Sequence, residues 1–420
     1  MTINKIRTVE LFAGVGGFRL GLEGWNGKSS LTNYTENINS KFKIVWSNQW
    51  EPKSKLQIAS KVYESKWNDD NHSSVNIQNV SYNEIPEFDM LVGGFPCQDY
   101  SVAKSLTFSK GLEGNKGALW WSIYDIIYQA KLKPKFLILE NVDRLLISPA
   151  GNRGRDFGII LKSLNELGYA VEWRILNAAE YGMPQKRKRV FIVAFHSATK
   201  LFRKINSNSI TSWRDKYSIL NKAFPNKFID KSNIEFDLSM DNKNEINLPK
   251  VQNPFLNSGL MISDRVYSYK SEALYDGPKT YLKDVMINDN LISEDYYIKT
   301  EDIPRWEQLK GAKKELKTNK SGHIYPYNEG KMLFPDPLNR ASRTIITGEG
   351  GASPSRFKHV IQTEKGLRRL TPIELERLNM FPDNHTNLEG ITPNKRAFFM
   401  GNALVVGIVE KIGKEIEKVF

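Results

Sequence analysis

The chain has 420 residues, 40% hydrophobic and 25% charged, so it can form large packed cores and extensive disorder is not expected. Sixty Lys and Arg residues against 47 Asp and Glu give a net charge of +13, which favours a polyanionic partner, nucleic acid before an acidic membrane surface. The single cysteine, Cys97, excludes an intramolecular disulfide framework, a structural zinc cluster and an iron–sulfur site, and the five scattered histidines predict no metal site.

The first twenty residues lack the uninterrupted apolar run of a signal peptide. No stretch reaches the roughly 18 apolar residues that a transmembrane helix needs. These patterns predict a soluble, intracellular protein with a reduced thiol and no membrane partner.

Short apolar runs and helical patterns alternate over residues 1–196. The runs predict buried strands at 8–12, 44–46, 90–92, 136–139 and 190–195, and the helical patterns lie at 117–130 and 157–167. Such alternation is typical of an α/β fold with a mainly parallel sheet and helices on both faces.

The pattern changes after His196. Residues 206–257 contain ten asparagines and three prolines without a sustained period, which predicts loop-rich structure or a small irregular domain. Helical patterns return at 371–378 and 403–419. We therefore expect an α/β domain over 1–196, a second domain over 197–397, and a C-terminal segment, 398–420, that returns to the first domain.

A glycine-rich turn follows the first predicted strand, at Ala13-Gly14-Val15-Gly16-Gly17. Glycine allows a tight turn and close approach of a ligand, and a helix N-terminus favours anionic groups. Arg19 stands at the third glycine position of a dinucleotide fingerprint, and no Gly-Lys-Ser/Thr follows as in a P-loop. The turn alone is therefore a moderate indication of a ligand site.

Three further polar elements adjoin predicted strands. Cys97 follows the third strand in a loop shaped by two glycines and a proline, although a lone cysteine is more often a small buried hydrophobe. Glu140 and Asn141 follow the fourth strand, where a carboxyl is often only a surface acid or a helix cap. The basic pentad 185–189, which leads into the fifth strand, would in isolation be a solvated charge run.

The ordered set of motifs resembles the cytosine-5 DNA methyltransferases. These motifs are FAGVGG (12–17), GFPCQ (94–98), ENV (140–142), QKRKR (185–189), RLTPIELERL (369–378) and GNALVV (401–406). The resemblance implies a Rossmann-like sheet that binds S-adenosylmethionine and a smaller, irregular target-recognition domain over 197–397. It also implies double-stranded DNA as substrate, a bacterial restriction–modification role, a DNA-associated cytoplasmic location, a monomeric enzyme and an independently acting cognate endonuclease.

We expect the cofactor at the glycine turn, at the ends of the following strands and at the C-terminal segment. The residues assigned to it are Phe12, Ala13, Gly14, Gly16, Gly17, Phe18, Gln49, Trp50, Glu51, Asn76, Ile77, Pro96, Leu119, Asn402 and Leu404. Many relatives carry acids where Gln49 and Asn76 stand, so Glu51 and the Asn76 amide are expected to substitute for them. Valine at Gly16 is expected to fill space that the ligand needs.

The resemblance also implies catalytic roles. A thiolate that adds to carbon 6 of cytosine makes carbon 5 nucleophilic, and Cys97 is the only thiol available. Glu140 is the expected general acid at N3, with a raised pKa. Arg187 and Arg189 are expected to hold the exocyclic oxygen and the developing charge.

The target atoms lie inside the duplex stack, so such an enzyme must flip the base and grip DNA with a second surface. The expected DNA contacts are Gln98, Ser101, Asn141, Gln185, Arg343 and Arg356. Two alternatives remain at this stage. One is a tRNA cytosine-5 methyltransferase of the same family, and the other is a non-catalytic DNA-binding relic.

Overall fold

The structure, a computed structural model, describes residues 5–24, 40–52, 54–67, 71–95, 119–206, 208–240, 246–318, 322 and 324–420. The strands are β1 Ile6–Leu11, β2 Phe42–Asn48, β3 His72–Ser73, β4 Met90–Gly94, β5 Phe136–Asn141, β6 Tyr169–Asn177, β7 Lys188–His196, β8 Asn226–Asp237, β9 Ser239–Met240, β10 Ile246–Asn247, β11 Ser258–Ile262, β12 Arg265–Ala273, β13 Lys313–Thr318, β14 Ile324–Glu329, β15 Val360–Thr363 and β16 Gly366–Arg369. The helices are α1 Gly17–Glu23, α2 Ile58–Trp67, α3 Leu119–Gln129, α4 Arg155–Glu166, α5 Lys200–Asn206, α6 Ile210–Lys216, α7 Ile219–Ala223, α8 Leu282–Val285, α9 Ile303–Lys310, α10 Pro372–Leu378, α11 Pro393–Asn402 and α12 Val406–Val419. None of the described helices is long and apolar enough to cross a membrane.

A ten-stranded sheet runs through the molecule in the order β3-β2-β1-β4-β5-β7-β6-β11-β12-β8. The first five strands are parallel, and β7 and β6 follow in antiparallel pairing. The predicted α/β class is confirmed. Because the parallel strands end at one edge, the residues that follow β1, β2, β4 and β5 gather there.

Both faces of the sheet are covered. Met90, Val92 and Ile138 point into one core, to which α1 and α12 contribute, whereas Leu91 and Leu137 point into the other, with α3 and α4. Successive residues of a strand face opposite sides, so these strands carry continuous apolar runs. The two cores fix the strands whose ends carry the site.

Three strands from the second half of the chain extend the same sheet. β11 pairs with β6, β12 with β11, and β8 with β12, all antiparallel. The expectation of irregular structure over 206–257 is therefore wrong at β8, a strand of twelve residues. A register shift between Ser268 and Lys270 of its partner interrupts the pairing, and polar residues within β8 obscure its strand pattern in the sequence.

The segment after Ala273 lies outside the central sheet. It carries two hairpins, β13–β14 and β15–β16, and short helices. The chain then returns through α10 and α11 to α12, which packs so closely on α1 that a β-carbon on Gly21 would lie 2.7 Å from Val409. The partition into 1–196, 197–397 and 398–420 stays a prediction, with β8, β11 and β12 of its middle part belonging to the central sheet.

Candidate catalytic and cofactor site

The glycine turn adopts backbone conformations that favour glycine. Gly14 has φ +58° and Gly16 φ +88°, and Phe12 also has a positive φ of 55°. The Gly14 amide donates to Oε1 of Gln49 at 2.8 Å, which holds the turn against the end of β2. A β-carbon on Gly14 would meet no described residue within 4 Å. Open space in front of a braced glycine turn fits the bound ligand expected there.

Gly16 has a different role from the one expected. A β-carbon there would lie 2.2 Å from a ring carbon of Trp67, so the position faces protein and not ligand space. Gly17 is packed likewise, since a β-carbon would lie 3.2 Å from Leu404. The expectation that valine at Gly16 fills the ligand's space therefore does not fit the structure, because Trp67 already occupies it.

The buried side chain of Glu10 holds the first turn of α1, which follows the glycine turn. Glu10 accepts the amide of Arg19 at 3.4 Å and the hydroxyl of Tyr63 at 2.9 Å. α1 has no capping side chain of its own, because its N-cap is Gly16. Glu10 thus caps α1 from β1. Burial raises the pKa of Glu10 to about 7, against the opposing effects of Tyr63 and Arg19.

Polar residues at the ends of the neighbouring strands adjoin the turn. Trp50 is 37% exposed and presents an aromatic face. Glu51 accepts the Ala59 amide at 3.0 Å and the Lys395 ammonium at 2.8 Å. Asn76 accepts the Gln78 amide at 3.2 Å. The expected cofactor roles of Glu51 and Asn76 stay predictions, since these oxygens already hold protein donors.

Two side chains from the last part of the chain, His385 and Leu404, contact the glycine turn. His385 contacts the Val15 carbonyl through Nε2 at 2.7 Å, and burial lowers the pKa of His385 to about 3, so that the ring is neutral and Nε2 donates. Leu404 is buried against Gly17, whereas Asn402 is exposed. The other described residues assigned to the cofactor are Ala13, Phe18 and Ile77, which are buried, and Leu119, which is half-buried.

Glu140 and Arg189 form an ion pair at the carboxyl edge of the sheet. Arg189 Nε lies 3.0 Å from Oε1 of Glu140, and both side chains are largely buried. Burial raises the pKa of Glu140, while Arg189 and then Arg187 oppose the shift. Gly94 pairs with Glu140 across the strands, and a β-carbon there would come within 3.2 Å of the carboxylate. A carboxyl of raised pKa beside a fixed guanidinium can act as a proton donor.

Asn141 links β5 to the residue after β4. Its Nδ2 donates to the Phe95 carbonyl at 2.9 Å, and its Oδ1 accepts the Val142 amide at 2.8 Å. The expected DNA contact of Asn141 stays a prediction. Phe95 precedes Cys97 by two positions in the sequence. The described part of the site thus ends next to the predicted nucleophile.

Four of the predicted site residues, namely Pro96, Cys97, Gln98 and Ser101, lie outside the described residues.

Arg187 is buried and reaches across the molecule. Its Nη atoms donate to the carbonyls of Gly401 at 2.9 Å and Ile345 at 3.5 Å, and its buried Nε has no hydrogen-bond partner among the described residues. Burial, together with the nearby charge of Arg189, lowers the pKa of Arg187 to about 9. Arg187 therefore ties the basic pentad to the later segments, and its direct contact with the base stays a prediction.

The side chains of Ser342, His359 and Glu349 form a hydrogen-bonded chain that ends at the basic pentad, where Ser342 contacts Lys186. His359 Nε2 lies 3.0 Å from the Ser342 hydroxyl, and its Nδ1 lies 2.9 Å from Glu349. Glu349 also accepts the amides of His359 and Ile346, so that one carboxylate holds both sides of the loop 347–358. All three side chains are buried.

Ser342 in turn pairs with the pentad through its backbone. Its amide donates to the Pro184 carbonyl at 2.8 Å, and its carbonyl accepts the Lys186 amide at 2.7 Å. Gln185 is buried, donates to Leu378 and Asn379, and accepts the Ile345 amide at 3.0 Å. Its expected contact with DNA stays a prediction, because its amide is satisfied within the protein.

An open cavity of about 880 Å³ adjoins the ion pair. Among the residues that the structure describes, four cations line this cavity, and Asp143 and Glu180 are the acidic members of its wall. The cations are Lys186, Lys188, Arg189 and Lys279. The two lysines of the pentad were not singled out in the sequence, although the basic run itself was the signal. A basic cleft beside a buried acid–arginine pair is suited to a polyanion.

The two arginines predicted to hold phosphates bind protein groups here. Arg343 pairs with Asp336 at 2.6 Å, and Arg356 pairs with Glu329 at 3.0 Å. Arg356 also donates to three backbone carbonyls, of Leu309, Gly311 and Gly330. Their contacts with DNA stay predictions.

The chain is similar to known proteins in sequence and in fold. The model of the family described as C-5 cytosine-specific DNA methylase matches residues 6–418. The Type II methyltransferase M.Sau3AI of Staphylococcus aureus is 41% identical over 430 residues, covering 99% of this chain and 97% of that protein. The Type II methyltransferase M.HhaI of Haemophilus parahaemolyticus is 32% identical over 195 residues, 46% of this chain and 50% of that protein. The solved structure of S. pombe Dnmt2 methyltransferase aligns over 99% of each chain with a TM-score of 0.58 and 14% identity, a likeness of fold.

Proposed function

This chain belongs to the C-5 cytosine-specific DNA methylase family, and on that premise we propose that it methylates carbon 5 of a cytosine flipped out of a specific duplex DNA sequence, with S-adenosylmethionine as methyl donor. We further propose that this modification protects DNA in a restriction–modification system. The names of the Type II relatives support that role.

The chemistry requires an attacking group and a proton donor on one pocket wall. In the proposed mechanism, the Cys97 thiolate forms a bond to carbon 6 of the cytosine ring. The electrons displaced onto the ring reach N3, which takes up a proton from Glu140. Carbon 5 is then a nucleophile. After methylation, carbon 5 loses its proton to a base and N3 returns its proton to the Glu140 carboxylate. The ring double bond reforms as the bond between carbon 6 and sulfur breaks, and the thiolate leaves.

The pair of Glu140 and Arg189 is the observation that carries this proposal. A carboxyl whose pKa is raised by burial holds a proton at higher pH than an exposed one. The 3.0 Å contact with Arg189 fixes the direction of the carboxyl without abolishing that shift. The same guanidinium lines the basic cavity, where it can meet the exocyclic oxygen of a flipped base.

The glycine turn fits the proposed methyl donor. One wall of the proposed cofactor site consists of the open space at Gly14, the Gln49 side chain that accepts the Gly14 amide, and the exposed ring of Trp50. When bound, S-adenosylmethionine supplies an electrophilic methyl group on a sulfonium. The chain's part is to hold this group by backbone amides and an aromatic face, and to keep the wall rigid through Glu10, His385 and Leu404.

Duplex DNA is the proposed partner of the basic cavity. Lys186, Lys188 and Lys279 line its wall next to Arg189, and the net charge of +13 favours phosphate. A base flipped into this cavity would meet Arg189, the partner of the Glu140 carboxyl.

Two experiments test the function. Bisulfite sequencing of DNA from cells that express the protein should reveal 5-methylcytosine in one sequence context. A duplex with 5-fluorocytosine at that context should then form a denaturation-resistant complex, because fluorine cannot leave carbon 5 as a cation. Cys97→Ala should form none while binding the same duplex. Unmodified DNA would contradict the function, and adducts with fluorinated tRNA alone would favour the RNA enzyme.

A further inference from the structure

The hairpin β13–β14 stands apart from the rest of the fold. Its strands pair only with each other, over six residue pairs from Lys313 with Glu329 to Thr318 with Ile324, among the strands that the structure describes. An isolated two-stranded hairpin is marginal in water. A hairpin kept in this position therefore needs an anchor at its base and a reason for its exposure.

The anchor is Arg356. Its guanidinium donates to the carbonyls of Gly311 and Gly330, the residues near the two ends of the hairpin, and pairs with Glu329 at 3.0 Å. The backbone of Met332 donates to Lys310 at 2.9 Å and closes the base. Arg356 lies in the loop 347–358, which Glu349 holds at both sides through the amides of Ile346 and His359. The hairpin is thus attached to the segment that supports the catalytic side chains.

The two faces of the hairpin differ. Cross-strand partners share a face, and on one face Lys317 lies 3.3 Å from the centre of the Tyr327 ring, whose hydroxyl donates to Glu329. On the opposite face all six side chains are exposed. We name it the apolar face because its central pair, Leu316 and Pro326, is apolar. Its members are Lys314, Leu316, Thr318, Ile324, Pro326 and Asn328. Leu316 is 76% and Ile324 60% exposed, which is a large apolar surface to leave in water.

The edges of the hairpin disfavour a partner strand. Pro326 lies within β14, and β13 carries three lysines, Lys313, Lys314 and Lys317. Proline and lysine on an edge strand prevent pairing with another chain. A partner must therefore contact the face.

Charge indicates which partner that is. Residues 313–331 contain five lysines and two glutamates, so the hairpin region attracts a polyanion. The major groove of duplex DNA admits a two-stranded β-ribbon, and apolar side chains there contact the methyl group of thymine. Lysines beside such a ribbon neutralise phosphates.

We propose that β13–β14 enters the major groove of the target duplex with its apolar face towards the bases, so that Leu316 and Ile324 contribute to sequence selection. This proposal rests on the proposed function, because it takes duplex DNA as the substrate. Lys314 pairs with phosphate at the border of the face. Arg356 acts as the positioning residue that fixes the angle of the ribbon against the catalytic half.

The test compares DNA binding by variants of the apolar face. The probes are a short duplex with the context found by bisulfite sequencing and a duplex of unrelated sequence, both measured by fluorescence anisotropy. Leu316→Ser with Ile324→Ser should weaken target binding about 10- to 100-fold and spare the unrelated duplex. Lys314→Gln should weaken both equally and reduce the slope of affinity against salt by about one.

Matched controls separate the outcomes. Leu132 is 75% exposed, like Leu316, and Leu132→Ser should leave target binding unchanged. Thermal unfolding and cofactor affinity of the double variant should equal those of the wild type. Unchanged target affinity in the double variant, or an equal loss on both duplexes, would overturn the proposal for the hairpin. A wild type that modifies no DNA would instead overturn the proposed function.

Discussion

Nε of Arg189 lies 3.0 Å from Oε1 of Glu140, and the pKa of Glu140 is nevertheless raised. The effect of burial thus exceeds the attraction of the guanidinium, so this carboxyl holds a proton at higher pH than an exposed one. The rate of covalent adduct formation should then fall as pH rises through the pKa of Glu140. The pH profile of this step is the direct measure of the pair.

Replacing Glu140 and replacing Arg189 should change the pH profile of adduct formation in different ways. Glu140→Gln should lower the rate by about 10²–10⁴-fold and abolish the alkaline limb, because an amide cannot give a full proton. Arg189→Gln should move the limb to higher pH, because the opposite charge that lowers the pKa of Glu140 is lost. Glu64→Gln, at an exposed site on α2, serves as control. A limb that stays in place in both active-site variants would contradict the assignment of Glu140.

The two glycines of the turn should respond differently to alanine. Gly14→Ala places a methyl group in open space beside the expected ligand and should weaken S-adenosylmethionine binding in calorimetry. Gly390→Ala is its control, because Gly390 also has a positive φ, +79°, and a β-carbon there would have no neighbour within 4 Å in the part of the chain that the structure describes. Both changes carry a backbone cost of about 1–2 kcal/mol. Equal cofactor affinity in the two variants would exclude Gly14 from the ligand wall.

Gly16→Ala should act on stability instead. The added carbon would meet Trp67 at 2.2 Å, and that ring also contacts Arg19, so the turn must move. We expect a lower unfolding midpoint, with cofactor binding lost only as the fold is lost. In a protein that also carries Trp67→Ala the clash should be relieved, so Gly16→Ala should then lower the unfolding midpoint much less.

The chain Ser342–His359–Glu349 should matter for the chemical step more than for binding. Glu349→Gln removes the charge that holds His359 and the amide of Ile346, next to Ile345, which Arg187 contacts. We expect adduct formation to slow by about tenfold, a coupling of about 1.4 kcal/mol, with cofactor affinity unchanged. Glu364→Gln, on the exposed β15–β16 turn, is the control. Equal losses in rate and in cofactor affinity would indicate general destabilisation.

Glu10 should leave a signature in the pH dependence of stability. Burial raises the pKa of Glu10 to about 7 from its ordinary value of 4.5, so the folded state holds this proton more tightly than the unfolded state. Its contribution to stability is present below about pH 4.5 and is lost as pH rises through about 7. In Glu10→Gln that loss, about 3 kcal/mol at most, should be absent. The measurement is the difference between the unfolding midpoints of wild type and variant at about pH 5 and about pH 8; a difference independent of pH would contradict the shift.

Buried parallel strands were predictable because both of their faces are apolar. The run predicted at 136–139 lies within β5, Phe136–Asn141. β6 was missed, because Glu172 and Arg174 within it read as polar in the sequence. In the structure Glu172 accepts the Ile219 amide at 2.9 Å, and Arg174 donates to the Phe224 carbonyl at 2.8 Å. Buried charges of this kind are satisfied only by tertiary contacts that a sequence pattern does not carry.

The sequence predicts which residue types form the site, but it predicts fewer of the contacts that these residues make. Glu140 and Arg189 were both placed at strand ends, and the antiparallel pairing of β5 with β7 brings them together. The neighbour of Gly16 is Trp67, fifty-one positions along the chain, so its packing role could not be inferred locally. The same limit applies to Arg356, since an arginine in a polar loop looks the same whether it binds phosphate or backbone carbonyls.

The continuity of the sheet limits how specificity can be exchanged between relatives. β8, β11 and β12 belong to the sheet that carries the glycine turn, so a chimera joined at residue 197 would remove them and leave the edge of β6 unpaired. Unpaired edges of this length promote aggregation. A junction after Ala273 keeps all ten strands and still transfers the β13–β14 hairpin. Recombination that yields new recognition is therefore expected to cross over downstream of the sheet, where the chain can be replaced as a cassette.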